Sequence, residues 1–162
     1  MVPPSNERNL QNFQDYGKTG NLLEFVRASG LNVQKYRDAL DALGSIFESL
    51  SFGEQPIYRN LDLNALQERK TEVKDIVNWM ADSNKADMKT VAIELMGFLG
   101  WESFVSRLER CLLSEFKWER LTAIKALEQM GSERAVEILR VAIEDSDPEI
   151  REAVRKALKR KK

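Results

Sequence analysis

Carboxylates and cations are the side chains through which this sequence could do chemistry. Its 162 residues include 26 Asp and Glu, 25 Lys and Arg, and no histidine. Without histidine there can be no Ser-His or Cys-His nucleophile pair, no histidine zinc site and no imidazole acid–base group. Acid–base work by carboxylates such as Asp75, Glu109 and Glu137 stays open. The sequence has no phosphate-binding glycine motif and no CxxC pair, so we expect no catalytic residue, no metal site and no cofactor.

Three cations, Lys89, Arg120 and Arg151, are spaced 31 residues apart. They could bind an anion, but groups that recur once per structural unit also come into register with acids of the adjacent unit or loop, such as Asp147. We expect the second arrangement. The single cysteine, Cys111, has no activating base nearby in sequence, so we expect a buried small side chain and not a nucleophile.

The interval of 31 residues belongs to a sequence repeat. Three segments align at this interval and carry apolar residues at helical spacing. They are KADMKTVAIELMGFLG from Lys85, FKWERLTAIKALEQMG from Phe116 and DPEIREAVRKALKRKK from Asp147. Two further segments, WESFVSRLERCLLS (101–114) and SERAVEILRVAIEDS (132–146), lie between them and align with each other. Each unit is therefore predicted to be a pair of helices.

Helix-end residues support this division into pairs. Gly100 and Gly131 stand where the first helix of each pair should end in a left-handed residue. Asp147 followed by Pro148 is typical of a helix start. Small residues recur where neighbouring helices should approach closely, and we expect Ala126 to be tightly packed there. No segment alternates in the manner of a strand.

The repeat weakens towards the start of the chain. VQKYRDALDALG (33–44) keeps the helical spacing, whereas the stretch SFGEQPIYRNLDL interrupts the period. We expect one repeat domain over 1–162. Its predicted parts are an N-terminal arm or cap at 1–19, first repeat elements at 20–50, a loop insertion at 51–63, a helix at 64–84, repeats at 85–114 and 115–146, and a capping helix at 147–162.

These segments resemble a known repeat. The order of Arg or Lys, small residues, Ala-Leu, a Gly turn and an acidic-Pro stretch in WERLTAIKALEQMGSERAVEILRVAIEDSDPEIREAVRKAL is similar to the short HEAT-like repeats of phycobilisome lyases. The similarity is close over 85–162. It implies an all-α fold, a right-handed α-α superhelix of about four helix pairs closed by a single C-terminal capping helix. Such folds serve many partners, so the resemblance implies little about function.

In repeats of this type the second helices normally line the inner, concave side, and their solvent positions are the candidate binding residues. Mixed charge with a few apolar groups favours a protein partner over a phosphate backbone. The predicted partner-binding residues are Asp75, Asn78, Trp79, Ser106, Glu109, Arg110, Leu113, Glu137, Arg140, Val141 and Glu144. We therefore expect a non-enzymatic scaffold that binds another protein through the concave face.

Two alternatives stay open. The resemblance allows a bilin lyase-like protein or subunit acting on a chromophore. A nucleic-acid-binding module, as in HEAT-like alkylpurine glycosylases, would need a basic concave stripe. The formal net charge of −1 gives no global basic field. The seven cations and three acids of 147–162 also fit a terminal helix whose last turn opposes the helix dipole.

The composition also bears on location. No apolar run approaches the roughly 18 residues needed to span a bilayer, and the first residues lack the layout of a signal peptide. One cysteine suits a reducing compartment. We expect a cytoplasmic protein without a membrane partner or an evident small-molecule substrate.

Overall fold

The computed structural model of the chain describes residues 35–39, 41–43, 63–83 and 86–160, and all of its regular elements there are helical. The α-helices are α1 (Leu63–Glu68), α2 (Lys70–Ala81), α3 (Ala86–Leu99), α4 (Val105–Cys111), α5 (Lys117–Met130), α6 (Glu133–Ala142) and α7 (Pro148–Arg160). A 3-10 turn at Glu102–Phe104 precedes α4. Residues 35–39 and 41–43 are also helical. Within these ranges no residue forms a strand, which confirms the all-α prediction.

The chain falls into two compact units, which divide between Trp79 and Met80. In the first unit the predicted arm at 1–19 lies outside the described residues, as do most of the first repeat elements and the insertion up to residue 62. Leu63, predicted to end the insertion, instead begins α1. The helix predicted over 64–84 is interrupted at Arg69 and ends at Ala81. Helical hydrogen bonds continue on both sides of Arg69, from Arg69 N–H to Ala65 O (3.2 Å) and from Val73 N–H to Arg69 O (2.8 Å).

Polar contacts join distant parts of the first unit. The Tyr36 hydroxyl donates to Asp75 Oδ2 at 2.9 Å across 39 residues of sequence. Arg69 and Asp38 form an ion pair at 3.0 Å, in which both side chains are at least half exposed. Exposed pairs of this kind contribute little to stability.

The second unit contains the repeat that the sequence predicts. α3 packs on α5 and α5 packs on α7, while α4 and α6 lie against α5. Gly100 and Gly131 have φ of +67° and +63°, the left-handed conformation expected at the ends of α3 and α5. The Asp147 carboxylate accepts the Glu149 N–H at 2.8 Å and so caps α7. These predicted helix ends are confirmed.

The second helices are shorter than their sequence segments. The segment 101–114 folds as the 3-10 turn followed by α4, and the segment 132–146 forms α6 only as far as Ala142. Trp101 and Phe104 stack across the 3-10 turn with ring centroids 5.8 Å apart. Ser132 caps α6, since its hydroxyl accepts the Ala135 N–H at 3.2 Å. Each second helix is therefore shorter than the first helix on which it packs.

α3 and α5 approach closely at two small residues. A Cβ placed on Gly97 would lie 2.6 Å from the Cα of Ala126, well inside any ordinary contact distance. Ala123 and Ala126 are buried at 0% and 3% exposure. The tight packing predicted for Ala126 is confirmed, and Gly97 is the partner that the sequence analysis did not identify.

Two of the three cations that are spaced 31 residues apart, Arg120 and Arg151, make the same contact in consecutive units. Arg120 Nη1 donates to the Ser114 carbonyl at 2.7 Å, and Arg151 Nη1 donates to the Asp145 carbonyl at the same distance. Both donors and both acceptors are related by the period of 31 residues. These two arginines therefore hold the loop that precedes their own helix, in line with a structural role.

The acid that pairs with Arg120 is Asp145 and not Asp147. Arg120 Nε lies 3.4 Å from Asp145 Oδ2, and both side chains are mostly buried. Asp147 and Glu149 pair with Lys117 instead. Burial favours the protonated form of Asp147, but the hydrogen bonds from Glu149 N–H and Lys117 outweigh it and lower the pKa of Asp147. The capping role of Asp147 explains why it is not available to Arg120.

Candidate functional site

The predicted partner-binding residues divide between the two units. Asp75, Asn78 and Trp79 lie in the first unit and are partly buried. Asp75 is engaged by the Tyr36 hydroxyl. The other eight lie in the second unit, where all are exposed: Ser106, Glu109, Arg110, Leu113, Glu137, Arg140, Val141 and Glu144.

A groove of about 650 Å³ runs between α4 and α6 in the second unit. We call it the α4–α6 groove. Five of the predicted residues line it, together with five that the sequence analysis did not select. The predicted ones are Glu109, Leu113, Glu137, Val141 and Glu144, and the others are Leu112, Arg134, Ile138, Ala142 and Asp145.

Helical spacing would have found most of the missed residues. Arg134, Ile138 and Ala142 follow one another at intervals of four residues, which places them on one face of α6. Asp145 and Leu112 lie beyond the helix ends, where the path of the chain cannot be inferred from helical phase. The face was therefore predictable, but its two ends were not.

Two large apolar side chains are displayed in the groove. Leu113 is 83% exposed and Val141 is 75% exposed, the highest values among the described large hydrophobic residues. Partly buried Leu112 and buried Ile138 continue the apolar surface. A single exposed apolar side chain needs no explanation, but two that share one concavity are typical of a binding site.

The rim of the groove is acidic. Glu109, Glu137 and Glu144 are exposed, and none of them takes part in the ion pairs formed by the described residues. Asp145 is held by Arg120. Arg134 is the lone cation of the lining, and it donates to the Ser106 hydroxyl at 3.1 Å.

Arg110 and Arg140 do not line this groove. Each stands in the last turn of its helix, where a cation opposes the partial negative charge of the helix end. Arg110 instead borders a smaller hollow of about 250 Å³, together with Lys89, Arg107 and Cys111.

The thiol in this hollow is not activated. Cys111 is 8% exposed, and burial raises its pKa from 9.0 to about 11. It is therefore a neutral thiol at physiological pH, whereas a nucleophilic cysteine needs a lowered pKa. Arg107 is paired with Asp82 at the edge of the hollow. The burial predicted for Cys111 is confirmed.

Comparison with known proteins supports the predicted repeat. Residues 107–161 match the family model of HEAT repeats, about a third of the chain. This match supports a HEAT-like repeat protein, and it covers α5, α6 and α7 with most of α4. The phycobilisome-lyase type of repeat stays a prediction. No curated protein matches the sequence significantly.

The described residues contain no group of three or more Cys, Asp or Glu side chains arranged to hold a metal ion. Within the same ranges no helix has the length and apolar character needed to cross a membrane.

Proposed function

We propose that this chain is a non-enzymatic interaction module that binds another protein through the α4–α6 groove. HEAT repeats generally mediate protein–protein interaction, and the match over 107–161 is consistent with that role. The observation that carries the proposal is the joint display of Leu113 and Val141 in one concavity. Exposed apolar residues inside a polar rim are what a partner desolvates on binding.

The proposal includes the finer features implied by the resemblance. They are a single repeat domain in a right-handed superhelix of about four helix pairs, with α7 as its cap and the second helices on the concave side. A cytoplasmic location, expected from the composition, is proposed as well. The acidic rim speaks against a nucleic-acid backbone as the occupant, because phosphates are held by clustered cations.

Purification of the tagged full chain from its native cell tests the proposal. The bait is compared with a Leu113→Ser/Val141→Ser double variant, in which two exposed side chains become polar and the fold should be retained. The matched control is Phe116→Ser, which removes an apolar side chain that is 51% exposed but lies outside the groove. We expect a specific protein that is enriched with the wild-type chain and the control and lost with the double variant.

Other results would overturn the proposal. A partner retained equally by the double variant would exclude the groove. Tight DNA binding that weakens steeply with salt, without a protein partner, would favour the nucleic-acid module. A bound tetrapyrrole, visible by its absorbance, would favour a lyase-like role.

A further inference from the structure

We infer that the α4–α6 groove receives an amphipathic helix of a partner protein, with Lys or Arg residues flanking its apolar face. This rests on the proposed function and adds the chemistry of the partner. The observations behind it are the shape of the groove, the distribution of its charges and the way the chain's own basic helix is packed.

The shape of the groove fits a helix. Lining residues recur every three to four positions, from Arg134 through Ile138 and Val141 in α6 to Asp145 beyond its end. The groove therefore follows the axis of α6, whose 10 residues span about 15 Å. This length accommodates about three turns of a third helix laid against α4 and α6. Helix-in-groove recognition places apolar anchors at i, i+3 or i+4, and i+7 on a floor of this kind.

The charges of the groove select a cationic partner. Four carboxylates and one guanidinium line it, and three of the carboxylates, Glu109, Glu137 and Glu144, form no ion pair with any described residue. Leu113 and Glu144 follow the carboxyl ends of α4 and α6, where the helix dipole adds negative potential. Cations on the partner would supply the missing counter-charges and speed its association.

A second copy of the chain is a poorer occupant. Its α7 is amphipathic and carries exposed cations at Arg155 and Lys156. However, Ile150, Val154 and Ala157, which form the apolar face of α7, are 0% exposed within the same unit. A folded second copy therefore cannot offer this face to the groove.

Fluorescence anisotropy with designed peptides tests the inference on the full chain. Three labelled 14-residue peptides share leucines at i, i+4, i+7 and i+11, and carry lysine, glutamine or glutamate at the flanking positions. We expect the lysine peptide to bind roughly tenfold more tightly than the glutamine peptide at low salt. The glutamate peptide should bind more weakly than both. Added salt should reduce the difference, since the rim charges are exposed.

Charge reversal separates the partner's chemistry from the existence of the site. In a Glu137→Lys/Glu144→Lys variant the preference should move to the glutamate peptide, whereas Glu102→Lys, an exposed carboxylate outside the groove, should leave it unchanged.

If all three peptides bind equally and Leu113→Ser/Val141→Ser abolishes binding, the groove docks a helix but the inferred charge preference is wrong. If no peptide binds, or if binding ignores Leu113 and Val141, the inferred helix is wrong whatever native partner is captured. Concentration-dependent self-association of the full chain, measured by sedimentation and lost in the same double variant, would assign the groove to a second copy and overturn the inference.

Discussion

At the scale of residues, Asp145 connects three parts of the second unit. Its Oδ1 accepts the Asp147 N–H at 2.8 Å, its carbonyl accepts Arg151, and its Oδ2 faces Arg120. Arg120 Nε is buried and makes no hydrogen bond of its own. The Asp145 carboxylate is therefore the nearby negative charge that compensates a largely buried guanidinium. Breaking such a pair costs more than the pair itself contributes, since it leaves one charge buried.

We expect Asp145→Asn to destabilise the protein by about 1–3 kcal/mol. Asparagine keeps an oxygen that can accept the Asp147 N–H but removes the charge opposite Arg120. The matched control is Glu144→Gln, a neighbouring exposed carboxylate that forms no ion pair among the described residues, and it should stay within about 0.5 kcal/mol of wild type. Urea unfolding followed by circular dichroism measures both. Equal midpoints for the two variants would show that the Arg120–Asp145 pair does not stabilise the fold.

Cys111 gives a pH-dependent expectation. Its pKa in the folded chain is about 11, above the ordinary value of 9.0. Between these values the unfolded chain loses the thiol proton while the folded chain keeps it, so the free energy of unfolding falls as pH rises. Cys111→Ala, which places there the residue found at Ala142 in the next repeat, should remove this part of the slope. Urea midpoints measured from pH 8 to pH 11 should converge as the wild type loses stability faster, and parallel curves would contradict the burial of the thiol.

The sequence predicted a structural role for Arg120 and Arg151, but not that Asp145 is the acid paired with Arg120. The 31-residue interval is visible in the letters, whereas the choice between Asp145 and Asp147 depends on the path of the loop between α6 and α7. Asp147 caps α7, and the turn before it directs Asp145 towards Arg120. Such local chain directions are set by tertiary contacts and leave no periodic pattern.

Among the elements of the second unit, α3 and α5 make a close contact at Gly97 and Ala126. Apolar periodicity located both helices to within a few residues, and glycines marked their ends. The sequence predicted the close approach of the two helices at Ala126 but not at Gly97. A glycine inside a helical pattern can indicate flexibility, a bend or close approach. A Cβ on Gly97 would lie 2.6 Å from the Cα of Ala126, so this glycine allows a close approach of the two helices.

We expect Gly97→Ala to destabilise the protein by about 1–3 kcal/mol, because the added methyl group meets the backbone of α5. Helix propensity alone predicts the opposite sign, a gain of up to about 1 kcal/mol for alanine over glycine. The sign of the change in urea midpoint therefore separates the two effects. A stabilised variant would show that α3 and α5 are farther apart than described.

The partner element offers a second test. Ala126→Leu adds three carbons at a position that is 3% exposed and faces Gly97, and overpacking should cost about 1–3 kcal/mol. Gln129→Leu, on an exposed position of the same helix, is the control for added apolar bulk. Thermal unfolding should show a lower midpoint for the first variant only. An unchanged midpoint for Ala126→Leu would place this face of α5 away from α3.

At the scale of the whole molecule, the sequence was most informative where the repeat is regular. The phase of α4 and α6 placed eight predicted residues on the surface, and five of them share one groove. The groove itself could not be predicted, because its volume depends on the distance between α4 and α6. That distance is set by how both helices pack on α5. Arg110 and Arg140 illustrate the limit, because a rotation of one residue around a helix moves a side chain out of the groove. The 51–63 stretch has no periodicity to interpret, and the described residues reach it only at Leu63.

The two compact units divide between Trp79 and Met80, and we expect the second of them to fold alone. The family match begins at 107 and omits α3, although α3 packs on α5 through Gly97 and Ala126. A fragment of residues 80–162 keeps that contact, whereas a fragment of 107–162 leaves the α3-facing surface of α5 uncovered and is shorter than the roughly 70 residues below which one core rarely suffices. Repeats of this kind are stable only when neighbouring units bury their faces.

We expect the longer fragment to be strongly helical and to unfold cooperatively in urea, and the shorter one to lose most of its helical circular dichroism. A shorter fragment as stable as the longer one would show that α3 is dispensable and that the HEAT-like core is complete within α4 to α7.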